Sequence, residues 1–229
     1  MGDYYAKKLS GERLQRVYDI AGPRVRQYLE AEINHVLKRL KPSDHVLELG
    51  CGYGRVTIRL ASTAAQVVGI DNASGSLSLA RRLDSRNTCT FSQMDAIDLQ
   101  FEDETFDVVV CAQNGICAFA VDPVQLILEV LRVVRPGGLA LFSSYADSFW
   151  PHRLAWFESQ AAKGLLGAID YAHCTNGVIA CHDGFRSGRM TPEDFRGVCK
   201  KAGVREEHFS ITEVDASSLF CEIAKANHC

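Results

Sequence analysis

Val46-Leu47-Glu48-Leu49-Gly50-Cys51-Gly52-Tyr53-Gly54 is an apolar run that breaks into three alternating glycines, and a helical pattern from Arg55 to Thr63 follows at once. A buried strand that feeds a glycine turn and then a helix marks where open α/β sheets bind ligands, at the carboxyl end of the strand. Glycines let such a turn take positive φ and let a ligand lie against the backbone. A dinucleotide site would place its third glycine one residue later, where Arg55 stands, and a nucleotide-triphosphate loop would end in Lys-Ser/Thr. Glu48 would repel a phosphate at the strand end and suits a cationic ligand better.

Outward from this turn, short β-branched runs alternate with helical patterns, which predicts a parallel sheet built from strand-helix-strand units. Strands are expected at His45 to Leu49, Gln66 to Ile70, Cys89 to Ser92, Phe106 to Ala112 and Gly138 to Ser144, with helices at Arg55 to Thr63, Ser74 to Asn87 and Asp122 to Val134. Asp122 can cap the last of these, Pro123 opens it and Pro136-Gly137-Gly138 is expected to end it. Beyond Trp150 the pattern predicts a helix to about Lys163, a hairpin around Asn176-Gly177, and a helix opened by Thr191-Pro192-Glu193. His208 to Val214 and Ser217 to Ala224 have no helix between them and must pair antiparallel.

The expected fold is therefore α/β: a Rossmann-like three-layer sandwich on a seven-stranded, mostly parallel sheet with an antiparallel last strand, plus an N-terminal helical lid. One domain spans 1–229, divided into an arm or lid (1–43), a ligand-binding core (44–144), an insertion (145–190), and a final helix with the antiparallel strand pair (191–229). At 229 residues and 47% hydrophobic, one core suffices. A formal charge of -3 with no basic run argues against a nucleic-acid partner, and no stretch approaches the roughly 20 apolar residues of a membrane span. Asp3, Lys7, Lys8, Glu12 and Arg13 interrupt any secretory h-region, and nine cysteines without an export signal read as reduced thiols, so a cytoplasmic location is expected.

The glycine turn resembles the first motif of the class I S-adenosylmethionine-dependent methyltransferases, E/D-x-G-x-G-x-G, which Glu48, Gly50, Gly52 and Gly54 match. Asp71, closing Val67-Val68-Gly69-Ile70, stands where that family binds the two ribose hydroxyls, and Met94-Asp95-Ala96 resembles the segment that meets the adenine. Phe106 to Val110 and Arg135-Pro136-Gly137-Gly138 look like the family's fourth strand and its turn into the fifth. The resemblance implies S-adenosylmethionine as cofactor, with Glu48, Gly50, Cys51, Gly52, Gly54, Asp71, Asn72, Asp95, Ala96, Gln113, Tyr5 and Tyr18 around it. It implies methyl transfer by in-line displacement to a small-molecule acceptor, at nitrogen, oxygen or sulfur. A thiol or metalloid methyltransferase, or a non-catalytic binding module, fits the same residues; the oligomeric state is open between monomer and homodimer.

For the chemistry, Gln113 and Asn114 after the fourth strand either orient an acceptor's polar groups or cap the next turn. Tyr4, Cys117, Phe119 and Tyr145 are the candidate acceptor-contacting residues. Tyr4, Tyr5 and Tyr18 either cover the ligand or anchor the terminus. His173, Cys174, Cys181 and His182 invite a zinc reading, but a two-residue turn at Asn176-Gly177 would split them between opposite faces, so no metal is expected. His182 is kept as a candidate acid-base residue.

Overall fold

The computed structural model describes residues 3–175 and 177–227. Seven strands form one sheet: β1 (His45–Leu49), β2 (Gln66–Asp71), β3 (Cys89–Gln93), β4 (Phe106–Cys111), β5 (Val134–Tyr145), β8 (Phe209–Val214) and β9 (Ser218–Ala224), in the order β3-β2-β1-β4-β5-β9-β8. Pairing is parallel from β3 to β5, while β9 runs antiparallel to both β5 and β8. The strand order reverses beside β1, so the ends of β1 and β4 open the crevice where such sheets bind ligands. The expected sheet, its antiparallel last strand included, is the one observed.

Both faces of the sheet are covered because its central strands are apolar on both sides. One face packs on α7 (Pro123–Val133) and α9 (Pro192–Lys201), whose Leu126, Val130, Val133 and Phe195 are buried against Leu47, Val109 and Phe142. Asp122 Oδ1 accepts from Val124 N at 2.9 Å and caps α7, while Thr191 and Asp194 form a reciprocal capping box on α9. The opposite face packs on α3 (Pro23–Leu37) and α4 (Thr57–Leu60) through Ile33, Val36, Val56 and Leu60, with α5 (Ser74–Leu83) against β2 and β3, and the short α6 (Gly115–Ala118) follows β4. α3 thus belongs to the sandwich, and only α1 (Asp3–Lys8) and α2 (Glu12–Asp19) form the arm ahead of it.

Two local expectations are corrected. The Pro136-Gly137-Gly138 turn lies inside β5 as a bulge, because the register jumps from Phe106 opposite Val134 to Val108 opposite Leu139 and Gly137 takes a φ of +74°. The hairpin expected around Asn176-Gly177 forms further along, where β6 (Ile179–Ala180) pairs with β7 (Arg186–Ser187). Its turn is closed by Cys181 N on Phe185 O at 2.9 Å, with Gly184 at a φ of +93°. Asn176 lies outside the described residues. At Gly177 the chain does turn, Val178 N donating to Thr175 O at 3.0 Å, but Tyr171–His173 ahead of it form a 3-10 helix and supply no partner strand; Arg153 Nη1 donates to Gly177 O at 2.6 Å.

Candidate active site

At the carboxyl ends of β1, β2 and β4 lies a cavity of about 250 Å³. Its floor is the glycine turn. Gly50 has a φ of +67°, and a Cβ there would meet the Phe119 ring at 2.5 Å; a Cβ on Gly52 would stand 3.0 Å from Leu14. Only glycine keeps this floor flat. Asp71 ties the turn to the next strand: its Oδ2 accepts from Gly52 N and its Oδ1 from Ala73 N, both at 2.8 Å. Each oxygen keeps a lone pair for a further donor, and the residue borders the cavity.

The electrostatics are set by three groups. Glu48 is 4% exposed and borders the cavity; burial pushes its carboxyl up to about 7, against the opposing hydrogen bond from Thr57 Oγ1. Burial also raises Asp71, while the N–H groups of Ala73 and Gly52 oppose the shift. Arg55 stacks its guanidinium 4.9 Å from the centre of the Tyr18 ring, and its Nε and Nη2 are buried without hydrogen-bond partners. A guanidinium with two unpaired N–H donors at a cavity wall has the chemistry to receive a carboxylate. In the sequence Arg55 stands out only as the residue in place of a dinucleotide site's third glycine; its signal is a cation one residue past Gly54, two residues ahead of α4.

Of the other residues expected around the cofactor, Tyr5, Tyr18, Cys51, Asn72, Asp95, Ala96 and Gln113 line this cavity, as does Phe119, whereas Gly54 does not: it has a φ of +81° and a Cβ there would meet the Phe91 ring at 3.0 Å. Gln113 and Asn114 are consecutive residues in left-handed conformation, with φ of +54° and +62°. Such backbone is unfavourable unless its surroundings fix it. Gln113 is held by its N–H on Glu32 Oε2 at 3.0 Å and by Tyr18 Oη, which donates to its Oε1 at 2.9 Å. Asn114 is placed differently from the expectation. Its Nδ2 donates to Gly188 O at 3.0 Å, its Oδ1 accepts from Ser144 Oγ at 2.8 Å, and it faces away from the cavity.

A second, smaller cavity of about 40 Å³ adjoins the first, sharing Tyr5, Leu9, Leu14, Tyr18 and Gln113 with it. Tyr145 lines this chamber, together with Tyr28, Trp156, Phe157, Gln160 and Phe185. Tyr28, Trp156 and Gln160 were not legible as site residues, because each sits on a helix whose pattern reads as ordinary core.

Tyr4 and Cys117 line neither cavity. Tyr4 donates to Asp183 Oδ2 at 2.6 Å, latching α1 onto the turn of the β6-β7 hairpin. Cys117 is partly buried behind Asn114, and burial raises its thiol to about 11. His182 is exposed, with Nδ1 3.7 Å from Asp170 Oδ2, and lines neither cavity. The split-face register invoked around it does not form. His173 Nδ1 is 2.7 Å from the same carboxylate, while Cys174 Sγ accepts from Ala180 N at 3.3 Å. Among the described residues no three metal-binding side chains gather at one point.

Residues 46–138 match the model of a methyltransferase domain. A demethylmenaquinone methyltransferase of Clavibacter sepedonicus is 33% identical over 181 residues, which span 62% of this chain and 74% of that one. A ubiquinone biosynthesis O-methyltransferase of Hydrogenovibrio crunogenus is 29% identical over 131 residues, covering 56% of this chain and 54% of that one. The chain thus spans about half the length of that second relative. A solved structure from Methanococcus maripaludis, described as a candidate S-adenosyl-L-methionine-dependent methyltransferase, superposes with a TM-score of 0.68 over 97% of this chain and 96% of its own. At 16% identity that likeness speaks for the fold alone. The sheet order, the glycine turn with Asp71 beside it and the shared sequence with a curated methyltransferase agree: the chain belongs to the class I S-adenosylmethionine-dependent methyltransferases, and its cofactor is S-adenosylmethionine.

Proposed function

We propose that this chain transfers the methyl group of S-adenosylmethionine to a small-molecule acceptor. The observation that carries the reading is the pair of adjoining cavities, a polar one over the glycine turn and an aromatic one behind Tyr18 and Gln113. The residues of the first fit the cofactor. Asp71 has lone pairs for ribose hydroxyls, Asp95 and Ala96 border the adenine end, and Arg55 offers unpaired donors to the amino-acid carboxylate. When bound, the cofactor supplies an electrophilic methyl group on a sulfonium, and the rest is positioning. Gln113, fixed by Glu32 and Tyr18, stands at the junction of the two cavities and can orient the acceptor's polar atom. α1 and α2 roof the site and exclude water, through Gly11 N on Ser76 Oγ at 3.0 Å and Trp156 Nε1 on Val17 O at 3.0 Å.

A thiol or metalloid acceptor finds less support. Cys51 is the cysteine that borders the larger cavity among the described residues, and burial drives its thiol pKa up, so it stays protonated. A cytoplasmic setting agrees with a chain in which no described helix is long and apolar enough to cross a membrane. Calorimetry with S-adenosylmethionine, S-adenosylhomocysteine and NADH tests the donor side, and mass spectrometry of a small-metabolite extract incubated with the protein and labelled donor tests transfer. Binding of both adenosyl compounds with label passing to a small molecule is expected. Binding of NADH alone, or binding without any transfer, would defeat the proposal, the second outcome in favour of a non-catalytic module.

A further inference from the structure

The chamber behind Tyr18 and Gln113 has a composition that narrows what enters it. Its walls are aromatic and aliphatic, and no lining residue carries a formal charge. Three buried polar atoms on those lining residues lack partners: Tyr28 Oη, Gln113 Nε2 and Gln160 Nε2. Tyr28 and Gln160 are 0% and 1% exposed. The amide nitrogens can only donate, so both ask for oxygen or nitrogen acceptors on a ligand. Burial holds the Tyr28 phenol well above its ordinary pKa, so it too remains a neutral hydroxyl.

The surrounding charges decide between a neutral and a cationic guest. An aromatic box is often a cage for ammonium groups, because ring faces attract cations. Here the Tyr145 face is already taken: the Arg153 guanidinium lies 4.1 Å from its ring centre, fully buried and bonded to Gly177, Ser187 and Gly188. A second cation in the chamber would face that charge across one ring. The nearby carboxylate, Glu32, is engaged by Ser218 Oγ at 2.6 Å and by Gln113 N. An anion would find no charged side chain on the chamber walls, and Arg153 behind the Tyr145 ring already spends its Nη donors on Gly177, Ser187 and Gly188.

Size sets the last constraint. About 40 Å³ is well below the roughly 150 Å³ of a cavity that accommodates benzene. A ring must therefore extend across the junction at Gln113 toward the larger cavity, and a second fused ring has no room behind it. We propose that this chamber is the acceptor subsite, and that it selects an uncharged one-ring molecule bearing hydroxyl, ether or carbonyl oxygens that accept from Gln113 and Gln160. The inference rests on the methyltransferase reading and names its substrate class.

The test uses the full chain saturated with S-adenosylhomocysteine and titrated with 4-methoxyphenol, benzylammonium and benzoate, followed by calorimetry and by tryptophan emission, to which Trp156 in the chamber wall and Trp150 contribute. Saturable binding of 4-methoxyphenol is expected, with the two charged probes at least about tenfold weaker. Gln160→Leu should weaken 4-methoxyphenol about tenfold, and Tyr28→Phe, which removes one hydroxyl and keeps the ring, several-fold; neither should move the affinity for S-adenosylhomocysteine. No 4-methoxyphenol binding, tighter benzylammonium binding, or unchanged affinity in both variants overturns the proposal. Failure of the wild-type chain to bind S-adenosylhomocysteine defeats the methyltransferase reading instead, and it shows in the first step of the same titration.

Discussion

The Tyr18 hydroxyl donates to Gln113 Oε1 at 2.9 Å, so one residue of the N-terminal arm and one at the end of β4 together build the wall shared by both cavities. The bond fixes the Gln113 amide with its nitrogen idle. Tyr18→Phe keeps the ring on Arg55 and Tyr53 but frees that amide. A fall in kcat/KM worth about 1 kcal/mol, roughly fivefold, is expected with little change in cofactor affinity. Steady-state kinetics beside calorimetry separate the two effects; a loss confined to cofactor binding would put Tyr18 on the donor side alone.

Asp71 holds the glycine turn through Gly52 N and Ala73 N and faces the cavity. Asp71→Ala should cost about 1 to 3 kcal/mol of S-adenosylhomocysteine binding, since ribose hydroxyls lose an acceptor and the turn loses its tie. Calorimetry measures the loss, and a thermal melt shows how much of it is structural. Unchanged affinity would remove Asp71 from the site.

Glu48 sets a pH dependence of definite sign. Burial raises its carboxyl from 4.5 to about 7, so the folded state holds the proton more tightly than the unfolded chain does. The stabilisation this brings is complete below 4.5 and is lost as pH rises through about 7. Glu48→Gln cannot ionise and should gain on the wild type across that window, by up to about 3 kcal/mol. Urea melts at several pH values check this; parallel stability curves would mean that water reaches the carboxylate in the folded protein.

The arm is latched at several points, among them Tyr4 on Asp183, Lys8 Nζ on Asp183 O at 3.1 Å, and Arg82 with Glu12 at 2.8 Å. Asp183→Ala removes an acceptor for Tyr4 and should speed amide exchange in α1, with a small effect on global stability. Hydrogen-exchange mass spectrometry with and without S-adenosylhomocysteine reads this. Exchange that stays slow and insensitive to ligand would make the arm a fixed part of the fold, not a lid.

The histidine and cysteine cluster after α8 (Trp150–Ala162) is expected to hold no structural metal. His173 and His182 share Asp170, and Cys174 is engaged with Ala180. Chelator should therefore leave the melting temperature unchanged, whereas stoichiometric zinc with a large drop would promote these residues to ligands.

The sheet was legible because its evidence is local. A β-branched strand, a glycine turn and a capped helix announce themselves within a dozen residues, and the donor-side residues occupy the strand ends. The acceptor chamber was not, for it is assembled from Tyr28 on α3, Gln113 after β4, Tyr145 on β5 and Gln160 on α8. Each of these reads locally as core, and only packing reveals the unpaired donors. The hairpin differs for a related reason: Asn176-Gly177 carries a strong turn signal and Val178 N does close a turn on Thr175 O, but Tyr171–His173 ahead of it coil into a short 3-10 helix and leave the following strand to pair further along. Asn114 was open between orienting an acceptor and capping the next turn; its side chain makes no cap hydrogen bond and its amide joins Ser144 to Gly188 instead.

Asn114 and Ser144 fasten the entire stretch between β5 and α9 to the sheet at Gly188 O and at Met190 N, the latter donating to Ser144 Oγ at 2.8 Å. The stretch between β5 and that rivet, which carries Trp156, Phe157, Gln160 and Phe185 of the chamber wall, is a cassette whose seams do not touch Asp71, Asp95 or the glycine turn. Exchanging it for the corresponding segment of another family member, with Asn114, Ser144 and Gly188 kept, offers a route to a new acceptor on an unaltered donor platform.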